Sequence, residues 1–196
     1  MTRFIVFRHG QTDMNRKHLV QGITDLPLND EGICQANNLA NRLQRKGISE
    51  IISSDLKRAF QTANIIAEKI GCGVTTSQDL REQNYGEIEA ATTAEVRTRF
   101  PDTCRILDDI SHPQTNTLSF PKAESRSDVF VRASQVLEDA AMRTPQATIG
   151  ISTHGGVILS LMSHYFKKMA HIGNADFIVL EYDGKSFTAY QMHVTP

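Results

Sequence analysis

Two histidines stand where a short apolar, β-branched run meets glycine: Arg8-His9-Gly10 closes residues 3–8, and His154-Gly155-Gly156 follows residues 147–153. Ligands gather at the carboxyl ends of strands in open α/β sheets, so if both runs are buried strands the two imidazoles share one rim. An imidazole in that place can act as nucleophile, base or hydrogen-bond donor near neutral pH. Arg8 lies beside the first histidine. Arg58 falls in the first turn of a helix that follows a further run at residues 48–53, which brings its guanidinium to the same rim. Guanidinium groups match phosphate oxygens in bidentate fashion and keep their charge at every working pH. Gly155 and Gly156 add unhindered backbone N–H groups at a helix N-terminus, a ready place for an anion. Singly these features have ordinary readings, a loop histidine before a turn or a solvated arginine on a helix. Together they outline an oxyanion pocket.

The elements that must hold these residues alternate strand with helix. Asn29 or Asp30 caps a helix whose apolar residues Ile33, Ala36, Leu39, Ala40 and Leu43 keep helical spacing, with Gly47 as its C-cap. A second amphipathic helix carries Leu56, Ala59, Phe60, Ala63, Ile66, Ala67 and Ile70 on one face and stops at Gly71. Residues 74–77 read as a short strand, 80–91 as a loop able to shape a site, and 93–100 as a short helix closed by Pro101. From 107 to 127 the chain is polar and irregular, with Pro113 and Pro121, a loop length that marks a lid near the substrate. A helix follows at Val129, Ala133, Val136, Leu137 and Ala140, and another starts after His154. Residues 177–182 and 187–192 flank Asp183-Gly184, which suits a tight type I′ hairpin turn. The expected fold is α/β, a three-layer sandwich with a mostly parallel mixed sheet covered by helices on both faces. One domain is expected over residues 1–196, with a lid or variable segment at about 88–127.

Composition narrows the partners. The net charge is −1, and Lys and Arg are spread along the chain, which argues against nucleic acid or anionic lipid. Cys34, Cys72 and Cys104 are odd in number, far apart and without CxxC spacing, so neither a disulfide framework nor a zinc site is expected and a reducing cytoplasm is. The apolar run at residues 4–7 is too short for a signal peptide, and no stretch approaches the roughly 20 apolar residues of a membrane span. A homo-oligomer is allowed but not indicated.

The residues then carry a resemblance. Arg8-His9-Gly10-Gln11-Thr12 with Asn15 is similar to the opening motif of the histidine phosphatase superfamily, the phosphoglycerate-mutase-like proteins. Ser53-Ser54-Asp55-Leu56-Lys57-Arg58-Ala59 with Thr62 resembles its second motif, Leu80-Arg81-Glu82 with Gly86 and Glu89 its third, and Thr153-His154-Gly155-Gly156 its last. The resemblance covers essentially the whole chain. It implies a phosphohistidine on His9, with Arg8, Arg58 and His154 neutralising the transferred group, so that no metal and no cofactor is required. It implies Glu82 as the group that protonates the leaving oxygen and then takes a proton from water, and hence an acidic to neutral optimum. Asn15 and the Gly155 N–H would complete the oxygen contacts, Gln21 and Gly22 fall where the family's first long loop touches substrate, and Tyr85 matches the mutase subset. Without the resemblance Glu82 reads as an exposed carboxylate paired with Arg81.

Hydrolysis of a small phosphomonoester is the leading expectation, because Gln83 stands where mutases carry arginine and no basic pair follows Glu89. A cofactor-dependent phosphoglycerate mutase is the runner-up, and a non-catalytic phospho-ligand binder the second alternative. Ala90 and Ala123 replace glycines common in relatives; if either position needs positive φ, alanine strains the loop.

Overall fold

The computed structural model describes residues 1–168 and 172–193, the last five as backbone only. β1 (Thr2–Arg8), β2 (Ile48–Ser54), β3 (Gly73–Ser77) and β4 (Thr148–Thr153) run parallel, and β5 (Phe177–Tyr182) and β6 (Phe187–His193) join as an antiparallel hairpin. The sheet order is β3-β2-β4-β1-β5-β6. β1 is central and buried on both faces, which its uninterrupted Phe-Ile-Val-Phe run requires. Phe4 and Val6 join Ile149 and Ile151 in one apolar cluster, while Ile5 and Phe7 join Ile51 in the other. After a single turn, α1 (Asp13–Arg16), helices α2 (Asp30–Leu43) and α3 (Lys57–Ile70) bring Leu39, Leu43, Ala63 and Ile66 to the second cluster; α6 (Arg126–Arg143) and α7 (Gly155–Phe166) bring Val129, Leu137, Val157 and Leu161 to the first. This is the expected three-layer sandwich.

The structure departs from the sequence reading in several places. α2 ends at Leu43 with Gln44 as its cap, and Gly47 (φ 71°) belongs to the turn before β2. Ile33 and Phe60 keep the helical period but lie at the edges of their faces, 44% and 38% exposed. Gly71, at φ 77°, does end α3. Pro101 does not merely stop α4 (Thr93–Arg99): it opens α5 (Pro101–Asp108), because proline's missing N–H costs nothing at a first helical position. The supposedly irregular segment therefore begins inside a helix, and only residues 109–125 lack regular helix or strand. Asp183-Gly184 is not a two-residue turn. The connection spans residues 183–186, with the Asp183 carboxylate accepting the Lys185 and Ser186 N–H groups and only Gly184 at positive φ, whereas type I′ needs both. A third apolar cluster of Ile88, Val96, Cys104 and Phe120 sits apart, under the segment that connects β3 to α6. Cys34, Cys72 and Cys104 are free, and no helix among the described residues is long and apolar enough to cross a membrane.

Candidate active site

Strand register assembles the rim. Arg8 pairs with Thr153 and Ser53 with Ser152, so the ends of β1, β2 and β4 lie side by side. The next residue of each chain segment is then His9, Ser54 or His154. The His9 N–H donates to the Thr153 carbonyl at 3.0 Å, and the two imidazole centroids are 5.1 Å apart at 61°. Arg58, in the first turn of α3, is 1% exposed, so it is not a solvated surface charge. Thr62 on the next turn accepts the Gly10 N–H and donates to the Arg58 carbonyl, tying the helix to the His9 loop.

His9 Nδ1 lies 2.6 Å from the Gly10 carbonyl, which selects the Nδ1–H tautomer and puts the lone pair on Nε2. Arg58 Nε donates to that Nε2 at 3.2 Å, while its two terminal nitrogens hold the Thr24 and Gly22 carbonyls at 2.8 and 2.7 Å. Burial holds His9 well below the ordinary histidine value, and Arg58 and Arg8 push the same way, so the ring is neutral at neutral pH. Burial likewise brings Arg58 down to about 10, still fully charged near pH 7. Arg8 donates to the Ile172 carbonyl at 2.6 Å, and its buried Nε has no partner. A buried, unpaired guanidinium N–H is costly, on the order of 1–3 kcal/mol, unless an anion arrives.

His154 Nε2 lies 2.8 Å from Ser54 Oγ, and its Nδ1 is buried without a partner. Burial, reinforced by Arg58, His9 and Arg8, holds this ring well below the ordinary value too. In the free site His154 is thus a neutral donor and not the fixed positive charge the sequence reading gave it. Glu82 is 9% exposed and does not pair with Arg81, whose guanidinium grips Asp55 at 2.7 and 2.6 Å. Its carboxylate accepts the Gln83 N–H at 2.8 Å and the Gly156 N–H at 3.2 Å. A Cβ on Gly156 would collide with that carboxylate and come within 2.8 Å of the Tyr85 hydroxyl, so only glycine admits both. Arg132 on α6 clamps the loop from behind, donating to the Asp79, Arg81 and Glu82 carbonyls and pairing with Glu124 at 3.0 Å.

Asn15, Gln21, Gly22, Tyr85 and Gly155 all line a cavity of about 750 Å³ with Arg8, His9, Arg58 and Glu82. They are not equivalent. Asn15 spends its oxygen on the Thr12 and Asn174 N–H groups, which leaves its amide hydrogens for a ligand. Among the described residues no hydrogen bond claims the Gly155 N–H, at the first position of α7, whereas the Gly156 N–H is taken by Glu82. Gln21 is occupied by Thr12 and Thr24, and Gly22 presents a carbonyl to Arg58. Both of these therefore brace the site as well as lining the cavity. Ser54 and Arg132 had no chemical signal of their own in sequence, since their roles arise from strand register and helix packing. Asn174, which donates to the His9 carbonyl at 3.1 Å, is equally silent.

Known proteins agree with this geometry. The model for the histidine phosphatase superfamily, branch 1, matches residues 4–195. Phosphoglycerate mutase-like protein 4 of Arabidopsis thaliana is 37% identical over 159 residues, 80% of this chain and 68% of that relative. A mycobacterial glucosyl-3-phosphoglycerate phosphatase solved with VO3 superposes with a TM-score of 0.85 at 27% identity, covering 98% of both chains. YhfR of Bacillus stearothermophilus gives 0.83 at 26% identity, over 96% of this chain and 95% of that one. With four motifs converging on one rim and the match running nearly end to end, this chain belongs to the histidine phosphatase superfamily.

Proposed function

We propose that the protein is a phosphomonoester hydrolase that works through a phosphohistidine on His9, without a metal, on a small phosphorylated metabolite in the cytoplasm. The observation that carries this reading is the neutral, buried His9 ring, whose reactive Nε2 is met by the Arg58 Nε–H beside the unpaired Nε–H of Arg8. A phosphate dianion entering the pocket draws the Arg58 Nε–H to one of its own oxygens and uncovers the Nε2 lone pair. Nε2 then attacks phosphorus as the ester P–O bond breaks, and Glu82 gives its proton to the leaving oxygen. Water next attacks phosphorus, Glu82 takes the proton, the N–P bond breaks and phosphate leaves with the imidazole restored. The loose transition state is stabilised by Arg8, Arg58, the His154 Nδ1–H and the Gly155 N–H. These groups put positive charge where other phosphoryl-transfer sites place a cation.

Hydrolysis is favoured over mutase chemistry by the cavity wall. A mutase must grip a polar bisphosphorylated intermediate, and beyond Tyr85 the wall here is largely apolar, with Leu19, Val20, Ile88, Val96, Phe120 and Leu159 set against a single cation outside an ion pair, Arg126, among the described residues. Relatives with phosphatase names, including one for glucosyl-3-phosphoglycerate, support the same choice. Residues 1–196 act in this reading as one unit, with about 88–127 forming the specificity wall. The test is phosphate release from phosphomonoesters between acidic and neutral pH with chelator present, together with trapping of an acid-labile, alkali-stable phosphoryl adduct. Wild type should release phosphate and form the adduct, and Glu82→Gln should slow alkyl esters far more than a nitrophenyl ester, whose leaving group needs no proton. Loss of activity in chelator refutes the metal-free mechanism, and absence of the adduct refutes the phosphohistidine.

A further inference from the structure

The cavity has two poles. One is the phosphate pocket; the other, walled by α4, α5 and the start of α6, is apolar except for Thr93, Arg97, Asp108 and Arg126. Arg97 and Asp108 neutralise each other in an ion pair of 2.8 Å. Arg126 is half-buried and makes no such pair. Among the described residues its hydrogen bonds go to neutral oxygens alone, the Thr115 carbonyl, the Thr115 hydroxyl and the Leu107 carbonyl. A guanidinium carries five N–H donors, so two remain. Burial lowers its pKa from the ordinary arginine value, and Tyr85 and Asp108 oppose that shift without cancelling it. The residue linking the two poles is Tyr85, which lines the cavity in electrostatic reach of both the Glu82 carboxylate and Arg126.

Charge along the cavity points the same way. Once Glu82 carries the proton destined for the leaving group, Asp108 is the one other carboxylate among the described residues lining the cavity, against Arg8, Arg58, Arg97 and Arg126; Asp176 acts on Arg8, and Asp25 and Glu89 on Arg58, from outside that lining. A phosphate dianion answers the cations of the near pole and leaves Arg126 without an ion pair at the far one, where Asp108 is held by Arg97. Cations that are desolvated without an anion are costly, so a ligand that supplies one there is preferred. The body of such a ligand must cross Val96, Phe120 and Leu159, which offer contact area but no hydrogen bonds.

Resting on the phosphatase reading above, we infer that the substrate is a phosphomonoester with a predominantly apolar body and a second anionic group, a carboxylate, that pairs with Arg126 at the far pole of the cavity. Arg126 is then a specificity residue for the reaction, and its clamp on residues 107–115 orients it.

The experiment compares kcat/KM for two aryl phosphates that differ by a distal carboxylate, phenyl phosphate and a carboxyphenyl-substituted phenyl phosphate. Wild type should favour the carboxylated ester by about tenfold or more. In Arg126→Gln that ratio should fall close to one, mainly through KM, and Arg126→Lys should recover part of it. Thr115→Val removes the clamp's hydroxyl and keeps the guanidinium, so the ratio should persist. A ratio near one in wild type, an unchanged ratio in Arg126→Gln, or equal collapse in Thr115→Val overturns the inference while leaving the phosphatase intact. Failure of wild type to hydrolyse either ester overturns the phosphatase reading and the inference with it.

Discussion

The phosphate pocket and the far wall of the same cavity are built by opposite means. The pocket hangs on the sheet: His9, Ser54 and His154 are neighbours because β1, β2 and β4 are in register, and Arg58 because α3 leaves the rim directly. His9, Ser54, Arg58 and His154 are buried, and the Arg8 Nε and the His154 Nδ1 are held without a hydrogen-bond partner. The wall is local, made by α4, α5 and a loop over a small apolar cluster of its own. The first region stores electrostatic cost for a bound anion, and the second sets shape. Substitutions in the pocket should therefore cost rate, and those in the wall should cost stability or selectivity.

The sharpest break in that contrast would be a pocket variant that keeps its rate. His9→Ala removes the lone pair that attacks phosphorus in the proposed mechanism, and its kcat for phosphate release should drop by at least about 10⁴-fold while the fold persists. Residual activity within tenfold of wild type would sink the phosphohistidine. Next in size is Arg58→Met, which removes a charge aimed at the transferred group; a loss of roughly 10²–10³-fold in kcat/KM is expected, as for other fixed oxyanion donors. The same variant frees the Gly22 and Thr24 carbonyls, so its thermal midpoint should fall as well.

Stored electrostatic cost also predicts acid sensitivity. The folded pKa values of His9 and His154 lie well below 6.5, so above that value both states are neutral and the groups contribute nothing pH-dependent. As pH falls below 6.5 the unfolded chain takes up two protons that the folded chain refuses, and stability is lost. For two such groups the loss is roughly 2 kcal/mol between pH 6.5 and 5.5. Urea unfolding across that window should show it, His154→Gln should halve the slope, and saturating inorganic phosphate should reduce it. A flat profile in wild type would mean the rings are not buried neutral. The expected acidic to neutral optimum is thereby bounded on its acid side by the free enzyme's own stability.

In the wall, Val96→Ala deletes two methyl groups from a 5% exposed side chain, and about 2 kcal/mol of stability should go with them. Turnover of a simple aryl phosphate should change far less than in either pocket variant. A pocket-sized loss of kcat would show that the wall also positions the chemistry.

How much of this was legible follows the same division. The pocket was readable because its residues sit at punctuation points, a histidine and glycine after each apolar run and an arginine one turn into a helix. The wall was not. Pro101 reads as a stop although it starts α5, and the polar residues of 107–127 hide Leu107, Phe120 and Arg126, which face the cavity. Their spacing has no period, because that segment packs on itself and not on the sheet. Glu82 fell between the two: its loop carries no pattern, and only the Arg132 clamp and the Gly156 N–H explain its burial.

Ala90 gives the smallest and cleanest test, since it lies where wall meets pocket. Its φ is 64°, so the strain expected of alanine in place of glycine is present, whereas Ala123 is not at positive φ and its neighbour Lys122, at 58°, is. Ala90 persists there because its N–H donates to the Val20 carbonyl at 2.8 Å while the Val20 N–H donates to Ala91, pairing the substrate loop with the wall. An L-residue in that region costs about 1–2 kcal/mol, and glycine gives back about 0.4–1 kcal/mol through unfolded-state entropy. Ala90→Gly should therefore stabilise by about 0.5 kcal/mol, a rise of one to two degrees in thermal midpoint for a chain of this size. If the midpoint falls instead, the loop is held by something other than the Val20 pairing. If it rises while KM for aryl phosphates also shifts, the strain was holding the wall against the pocket, and the two regions are coupled through this one residue.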